Sequence, residues 1–381
     1  MSILIFIIIL LVLVVSHEFG HFIVAKMNKI RVDEFSFGFP PKLFGKKIGE
    51  TQYNFNALPF GGYVKIYGEN MDEADFLEVG FLDKKETPEK MELATRSLVY
   101  KPKYIQALVM IAGVVMNFLV AWLLLSVGFM SGLPTSVGNA PKGVMVQNQA
   151  LTITSVLSNS PAEKSGIKTG DKIISLDTPT DSTKLLSSIL GTENVQNFVK
   201  AHDGKEVNVS LIRGKETMKI TVIPEKRSTS DSAMIGISMD TIGILKLPIH
   251  RAVWEGLKLS GNVFVGTVVS YYNLIHSAIL GQAKMSSLTG PIGIVGVVGD
   301  ATKFGFIYLL SFTALISINL AVINLIPFPA LDGGRLLFLL IEKIKGSRIK
   351  SEIANTVNMI GFGLLMLLMV IITYHDIVKL F

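Results

Sequence analysis

Three ionisable side chains fall within five positions of an otherwise apolar run. They are His17, Glu18 and His21 of the segment HEFGH, preceded by unbroken hydrocarbon from Ile3 to Val15 and followed by Phe22, Ile23 and Val24. A membrane span needs roughly 20 predominantly apolar residues, so this run reaches span length only as a helix continuing through about Lys26. A charged group at the centre of such a helix costs at least ~2.5–3.5 kcal/mol, and three ionisable residues there demand a function. Histidines at i and i+4 share one helix face and can reach one metal ion. Glu18, beside the first of them, is placed to act as general base on a water whose pKa zinc lowers to about 7. No basic leader precedes Ile3 and no small-residue cleavage site follows, so the segment is expected to be retained as a span rather than removed as a signal peptide.

The rest of the chain supports a membrane setting. Its 381 residues are 49% hydrophobic and only 17% charged, where soluble chains carry about 25% charged residues. Further apolar runs predict spans over about Ile105–Met130, Phe304–Ile326 and Ile353–Tyr374. The stretch Val253–Leu280 is broken by Glu255, Lys258, Asn262, Asn273 and His276. It reads as an amphipathic helix on or beside the membrane, with a fifth span as the alternative. Basic residues cluster after the first span (Lys26, Lys29, Arg31) and in the expected loop before the fourth (Arg335, Lys343, Lys345, Arg348, Lys350). The positive-inside rule puts both clusters on the cytoplasmic side, with the termini and the insert between spans two and three outside. The net charge of +6 is thereby accounted for by topology, and no aromatic-and-basic nucleic-acid motif is present. Without cysteine, a disulfide framework and a thiol nucleophile are both excluded.

A catalytic zinc site takes three protein ligands. None of the remaining histidines (His202, His250, His276, His375) lies well inside a span. The best third ligand is Asp332, in the segment NLIPFPALDGG, where Pro327 and Pro329 break the third span and Gly333 and Gly334 follow the aspartate. Unwound backbone at membrane depth is tolerated where it lines a cavity. The lesser alternative for Asp332, taken alone, is a helix N-cap at a Pro-kinked span.

Two segments read as soluble-type structure. Between spans one and two, Tyr53–Tyr67 alternates in character around Pro59, Gly61 and Gly62 and predicts a β-hairpin or short sheet. The densely charged stretch from Glu69 to Lys103 predicts surface helix or loop. Between spans two and three, strand-like runs at Leu151–Leu157, Lys172–Leu176, Val207–Ile212 and Met218–Ile223, with a helical stretch near Asn194–Ala201, predict a small α+β module.

With these pieces in hand, the chain resembles the bacterial site-2 proteases, intramembrane zinc metalloproteases with an extracytoplasmic PDZ module. The resemblance covers nearly the whole length: HEFGH (17–21), PFGGYVKIYGE (59–69), AGVVMNF (112–118), the insert, LTGPIGI (288–294) and INLAVINLIPFPALDGG (318–334). It implies that His17, His21 and Asp332 bind one zinc ion per chain and that Glu18 is the catalytic base. It further implies that Gly61–Gly68, with Gly62, Tyr63 and Val64, forms a membrane-associated hairpin touching substrate, and that Asn319 and Asn324 contact substrate backbone. Within the insert, Ser160-Pro161-Ala162, Gly166-Ile167 and Gly170-Asp171 are PDZ-like. Two features depart from the family: Val114 stands where a proline is common, and Gln106 where an arginine is usual. The insert has room for one PDZ module, where longer members carry two.

The expected fold is therefore a polytopic α-helical membrane protein with about four transmembrane helices, a membrane-associated β-hairpin region and one inserted α+β PDZ domain. The expected divisions are 1–142 (first two spans and hairpin), 143–228 (PDZ domain), 229–303 (linker and amphipathic helix) and 304–381 (last two spans). The expected partners are the bilayer, single-pass membrane proteins or peptides as substrates (anti-sigma factors or signal-peptide remnants), and a peptide ligand for the PDZ domain. The location implied is the bacterial inner membrane, with the zinc site toward the cytoplasm. Two rival readings were a non-catalytic PDZ scaffold with a structural metal site, which has no use for Glu18, and an ion transporter, for which the internal repeats usual in such folds are missing.

Overall fold

The structure is a computed structural model and describes residues 1–69, 93–141, 143–157, 159–179, 184–186, 191–214, 216–227, 230–282 and 290–378. It divides into two compact units, residues 1–127 with 256–381 and residues 128–255.

Among the described residues, four helices are long and apolar enough to cross a membrane: α1 (Ser2–Met27), α2 (Lys103–Ser131), α7 (Phe306–Leu325) and α9 (Ser351–Val378). Each falls on a span expected from the sequence. Between lipid-soluble helices there is little hydrophobic drive to associate, so close approach depends on small residues. Gly20 of α1 shows this: a Cβ there would collide with the Ala112 carbonyl oxygen of α2. α1 also packs Ile9 and Leu13 against Val298 of α6 (Pro291–Phe304), a helix of its own just before α7. The motif glycine Gly290 caps α6, and Asp376 of α9 accepts the Gly293 N–H at 2.8 Å, supplying a side-chain cap that Gly290 lacks. Leu288 and Thr289 of that motif lie outside the described residues, as does most of the charged stretch beyond Glu69.

α5 (Ile249–Ile279) is a helix, as expected, and is absent from the four span-like helices. Leu259, Val263, Phe264 and Tyr271 pack it onto Ala121 and Leu125 of α2 and Ala314, Ile318 and Val322 of α7. The basic stretch before α9, read as a loop, is largely α8 (Asp332–Lys345). It ends at Gly346, whose φ of +75° is the left-handed conformation that closes many helices.

The β region differs from expectation in an instructive way. β1 (Val32–Ile48) and β2 (Thr51–Ile66) form one long hairpin whose turn is at Gly49–Glu50. Tyr53–Tyr67 contributes two segments to this sheet, one on each side of Glu34–Phe37, so the expected short sheet is present, but the two segments do not pair with each other as a hairpin and Gly61 and Gly62 are not its turn. A Cβ on Gly61 would sit 2.9 Å from the Phe39 ring, and one on Gly62 would sit 2.7 Å from the Ser36 carbonyl oxygen. The glycines are there for close approach within the sheet and against α1. Glu34–Phe37 lie between two segments, antiparallel to Gly62–Lys65 on one side and against Gln52–Phe55 on the other. The sheet is fastened to α1 by Lys26, which shares the Glu50 carboxylate with Arg96 at 2.6 Å each. Burial works against the charged form of Glu50, but these two cations outweigh it and hold its carboxyl below the ordinary value.

The second unit is a seven-stranded sheet. The order is β3 (Leu133–Ser136), β9 (Ile237–Leu245), β4 (Gln147–Val156), β5 (Lys172–Asp177), β7 (Val207–Arg213), β8 (Glu216–Val222), with β6 (Lys184–Leu186) on β5. Strand alternation buries Val207, Val209 and Leu211 on one face. Val195, Phe198 and Val199 of α4 (Thr192–Ala201), spaced as one helix face, close over that core. The four-residue helix α3 (Pro161–Lys164) explains its own sequence: Ser160 Oγ accepts the Glu163 N–H and Glu163 reaches back to the Asn159 N–H, a reciprocal cap with Pro161 in the first turn. Asp171, buried in the Gly170-Asp171 turn, takes a two-pronged bond from Arg213 (2.7 Å each) and the Lys168 N–H.

Candidate active site

The site is built where α1, α2 and the start of α8 meet. His17 and His21 lie one turn apart on α1, both buried. α7 ends at Leu325, the chain turns through Pro327 and Pro329, and Asp332 opens α8. That turn is tight enough that Cβ atoms on Gly333 and Gly334 would strike the carbonyl oxygens of Ile326 and Phe328. The result is a triangle of donors. His17 Nε2 and Asp332 Oδ2 are 2.9 Å apart, His21 Nε2 and Asp332 Oδ2 3.3 Å, and the two Nε2 atoms 3.1 Å. A tetrahedral zinc site with bonds of about 2.0–2.1 Å has ligand-to-ligand edges of about 3.3–3.4 Å. The triangle therefore fits one zinc ion with small adjustments, and a fourth position is left for water or substrate. Two neutral imidazoles and a carboxylate are also the donor types that suit zinc.

The groups behind the two imidazole rings come from α2. His21 Nδ1 donates to the Val109 carbonyl at 2.7 Å, which leaves Nε2 as the free lone pair. His17 Nδ1 faces the side-chain amide of Asn117 at 3.4 Å. Between them, Gly113 presents bare backbone to both rings: a Cβ there would lie 2.6 Å from His17 Cε1 and 2.7 Å from His17 Nε2. Only glycine lets the ligand rings occupy this space. Sequence reasoning assigns no role to Gly113 or Asn117. Their one-turn spacing inside AGVVMNF was the available signal. The Val109 carbonyl left no sequence signal, since it is backbone.

Glu18, next to His17 on α1, reaches the sheet. Its Oε2 accepts the Val64 N–H at 3.0 Å. A cavity of about 270 Å³ lies beside the triangle, lined by Val14, His17, Glu18, Asn117, Leu320, Asn324, Ala330, Leu331 and Asp332. Asn324 is thus brought to the site. Asn319 does not line this cavity: its Nδ2 donates to the Leu315 carbonyl and its Oδ1 accepts the Tyr271 hydroxyl. Gly61 and Gly62 pass close to Val14 and Val15 of α1. The Tyr63 hydroxyl turns back to Glu34 at 2.9 Å.

Comparison with known proteins agrees with this geometry. Residues 5–368 match the model of peptidase family M50. A protein of Clostridium perfringens is 35% identical over 367 residues, covering 96% of this chain and 95% of its own. The zinc metalloprotease RasP of Shouchella clausii is 30% identical over 442 residues, covering 100% of this chain and 99% of its own. The regulator of sigma-W protease RasP of Bacillus subtilis is 29% identical over 439 residues, covering 99% and 98%. A match along almost the full length, on a chain with four membrane-type helices, settles the class: the protein belongs to peptidase family M50, the site-2 proteases, and is an intramembrane zinc metalloprotease.

Proposed function

We propose that His17, His21 and Asp332 hold the catalytic zinc and that Glu18 is the general base, the donor triangle beside Glu18 and the cavity being the observation that carries the reading. When bound, zinc supplies a Lewis acid for the scissile carbonyl and lowers the pKa of a coordinated water toward neutrality. Glu18 would take a proton from the attacking water on its carboxylate and pass it to the leaving amide nitrogen. Asn324 offers an amide to a freed main-chain group of the substrate.

A transmembrane substrate has its peptide groups locked in its own helix, so the scissile segment must first be extended. The strand Gly62–Ile66 runs past Glu18 and can offer replacement main-chain bonds by strand addition. Gly61, Gly62, Tyr63 and Val64 act in this reading as backbone rather than as side chains. Substrates are single-pass membrane proteins, of which anti-sigma factors fit the sigma-W title of the Bacillus subtilis relative. The second unit serves in this reading as a PDZ-type module on the outer side, taking extended peptides along a sheet edge, and the basic ends of α1 and α8 support a zinc site toward the cytoplasm.

The test is cleavage of a model single-span substrate in liposomes. Wild type should cut, and Glu18→Gln and chelated protein should not, with zinc restoring only the latter. Equal cutting by metal-loaded wild type and Glu18→Gln across several substrates would overturn the assignment of the base.

A further inference from the structure

We infer that Asn117 is a positioning residue for the metal centre, its side-chain oxygen accepting the Nδ1–H of His17. The inference rests on the zinc assignment above and adds to it the partner that fixes one ligand ring. An imidazole that gives Nε2 to a metal carries its proton on Nδ1 and can only donate there. His21 has an acceptor for that proton, the Val109 carbonyl. For His17, the group facing Nδ1 is the Asn117 amide, fully buried, with Nδ2 at 3.4 Å. Two donors would then face each other, while Asn117 Oδ1 is buried with no hydrogen-bond partner. A half-turn of the amide exchanges its oxygen and nitrogen and puts the orphaned acceptor on the His17 proton.

The surroundings hold Asn117 for this task. Its own carbonyl accepts the Ser317 hydroxyl of α7 at 2.8 Å, which fixes this turn of α2 against a third element. Gly113, one turn earlier, admits both rings at van der Waals closeness to the α2 backbone. One face of α2 therefore supplies the clearance, through Gly113, and both outer partners, through Val109 and Asn117. Neither partner carries charge, so the ligand set stays at two neutral imidazoles and one carboxylate.

Zinc affinity of the full-length protein in detergent, measured by competition with a chelator of known affinity, tests the inference without reference to proteolysis. Asn117→Leu, which keeps the size and removes the acceptor, is expected to weaken zinc about 10–100-fold, the usual cost of losing an outer-sphere partner. Asn117→Asp keeps an oxygen on the His17 proton and is expected to hold zinc within a few-fold of wild type. Ser317→Ala, which loosens the same helix contact without touching the imidazole, is expected to leave affinity unchanged. If Asn117→Leu binds zinc as wild type does, or if Asn117→Asp falls as far as Asn117→Leu, Asn117 is a packing residue and the inference is wrong. His21→Ala serves as the separate control: should it too leave affinity unchanged, the fault lies with the ligand triangle itself.

Discussion

The carboxylate of Glu18 and the backbone N–H of Val64 are joined by a 3.0 Å hydrogen bond. The proposed base and the strand that passes it are thus one unit in the resting protein. Substitution Glu18→Gln keeps a side chain that can still accept from Val64 but cannot take a proton. Cleavage should fall about 10²–10⁴-fold, while zinc content measured by metal analysis stays at one per chain. A variant that loses metal along with activity would argue that Glu18 is structural.

Gly113→Ala puts a methyl group on the ligand rings, 2.6 Å from His17 Cε1. The rings must move or the helices must part, and either opens the triangle. Zinc content should drop well below one per chain even though the substitution favours helix by propensity. Gly266→Ala in α5, where a Cβ meets nothing within 4 Å, should retain zinc and gain up to about 1 kcal/mol of helix stability.

Arg213 and Asp171 form an unequal pair in the second unit. Asp171 has 1% of its side chain exposed and Arg213 has 30%. Removing the arginine strands a buried carboxylate, at a cost of about 3–5 kcal/mol. Asp171→Asn leaves Arg213 able to reach water and keeps an acceptor for the Lys168 N–H, at about 1–3 kcal/mol. Limited proteolysis of the full chain should therefore cut residues 128–255 faster in Arg213→Ala than in Asp171→Asn.

Glu50 ties the sheet to α1 through Lys26 and Arg96, and its folded-state carboxyl titrates below the ordinary value. A depressed folded pKa contributes stability that is present above the unfolded pKa of about 4.3 and is lost as pH falls through the folded value. Thermal unfolding of wild type and Glu50→Gln should differ at pH 7 and converge as pH falls below about 4. A gap that persists at acid pH would assign the Glu50 effect to packing.

The spans and the motif residues were legible because hydrocarbon length and i, i+4 spacing are one-dimensional properties. The proposed third ligand, Asp332, could be picked out because Pro327, Pro329, Gly333 and Gly334 mark an interrupted span around it, and the structure brings it beside His17 and His21. The sheet at Tyr53–Tyr67 was legible, but which segments pair was not, because two adjacent glycines signal either a turn or a close approach and the local pattern alone does not separate these. Here Phe39, Ser36 and α1 press on Gly61 and Gly62, partners up to 47 residues away in the chain that no local window contains. α8 was missed as a helix because its basic residues suggested a loop, although Leu336, Phe338 and Leu339 sit among them. The outer partners of the histidines were out of reach, since one is a backbone carbonyl and the other depends on how α2 is turned against α1.

The two ends of the donor triangle are 315 residues apart in the chain. A ribosome adding about 5–20 residues per second delivers Asp332 some 15–60 s after His17. Throughout that interval the growing polypeptide has a base and two imidazoles in the bilayer but lacks the residue that completes the cage. The enzyme is born unarmed, and its own unfinished membrane segments and those of its neighbours are exposed only to an incomplete centre. Chains truncated just before Asp332 should insert normally and leave a co-expressed single-span substrate uncut.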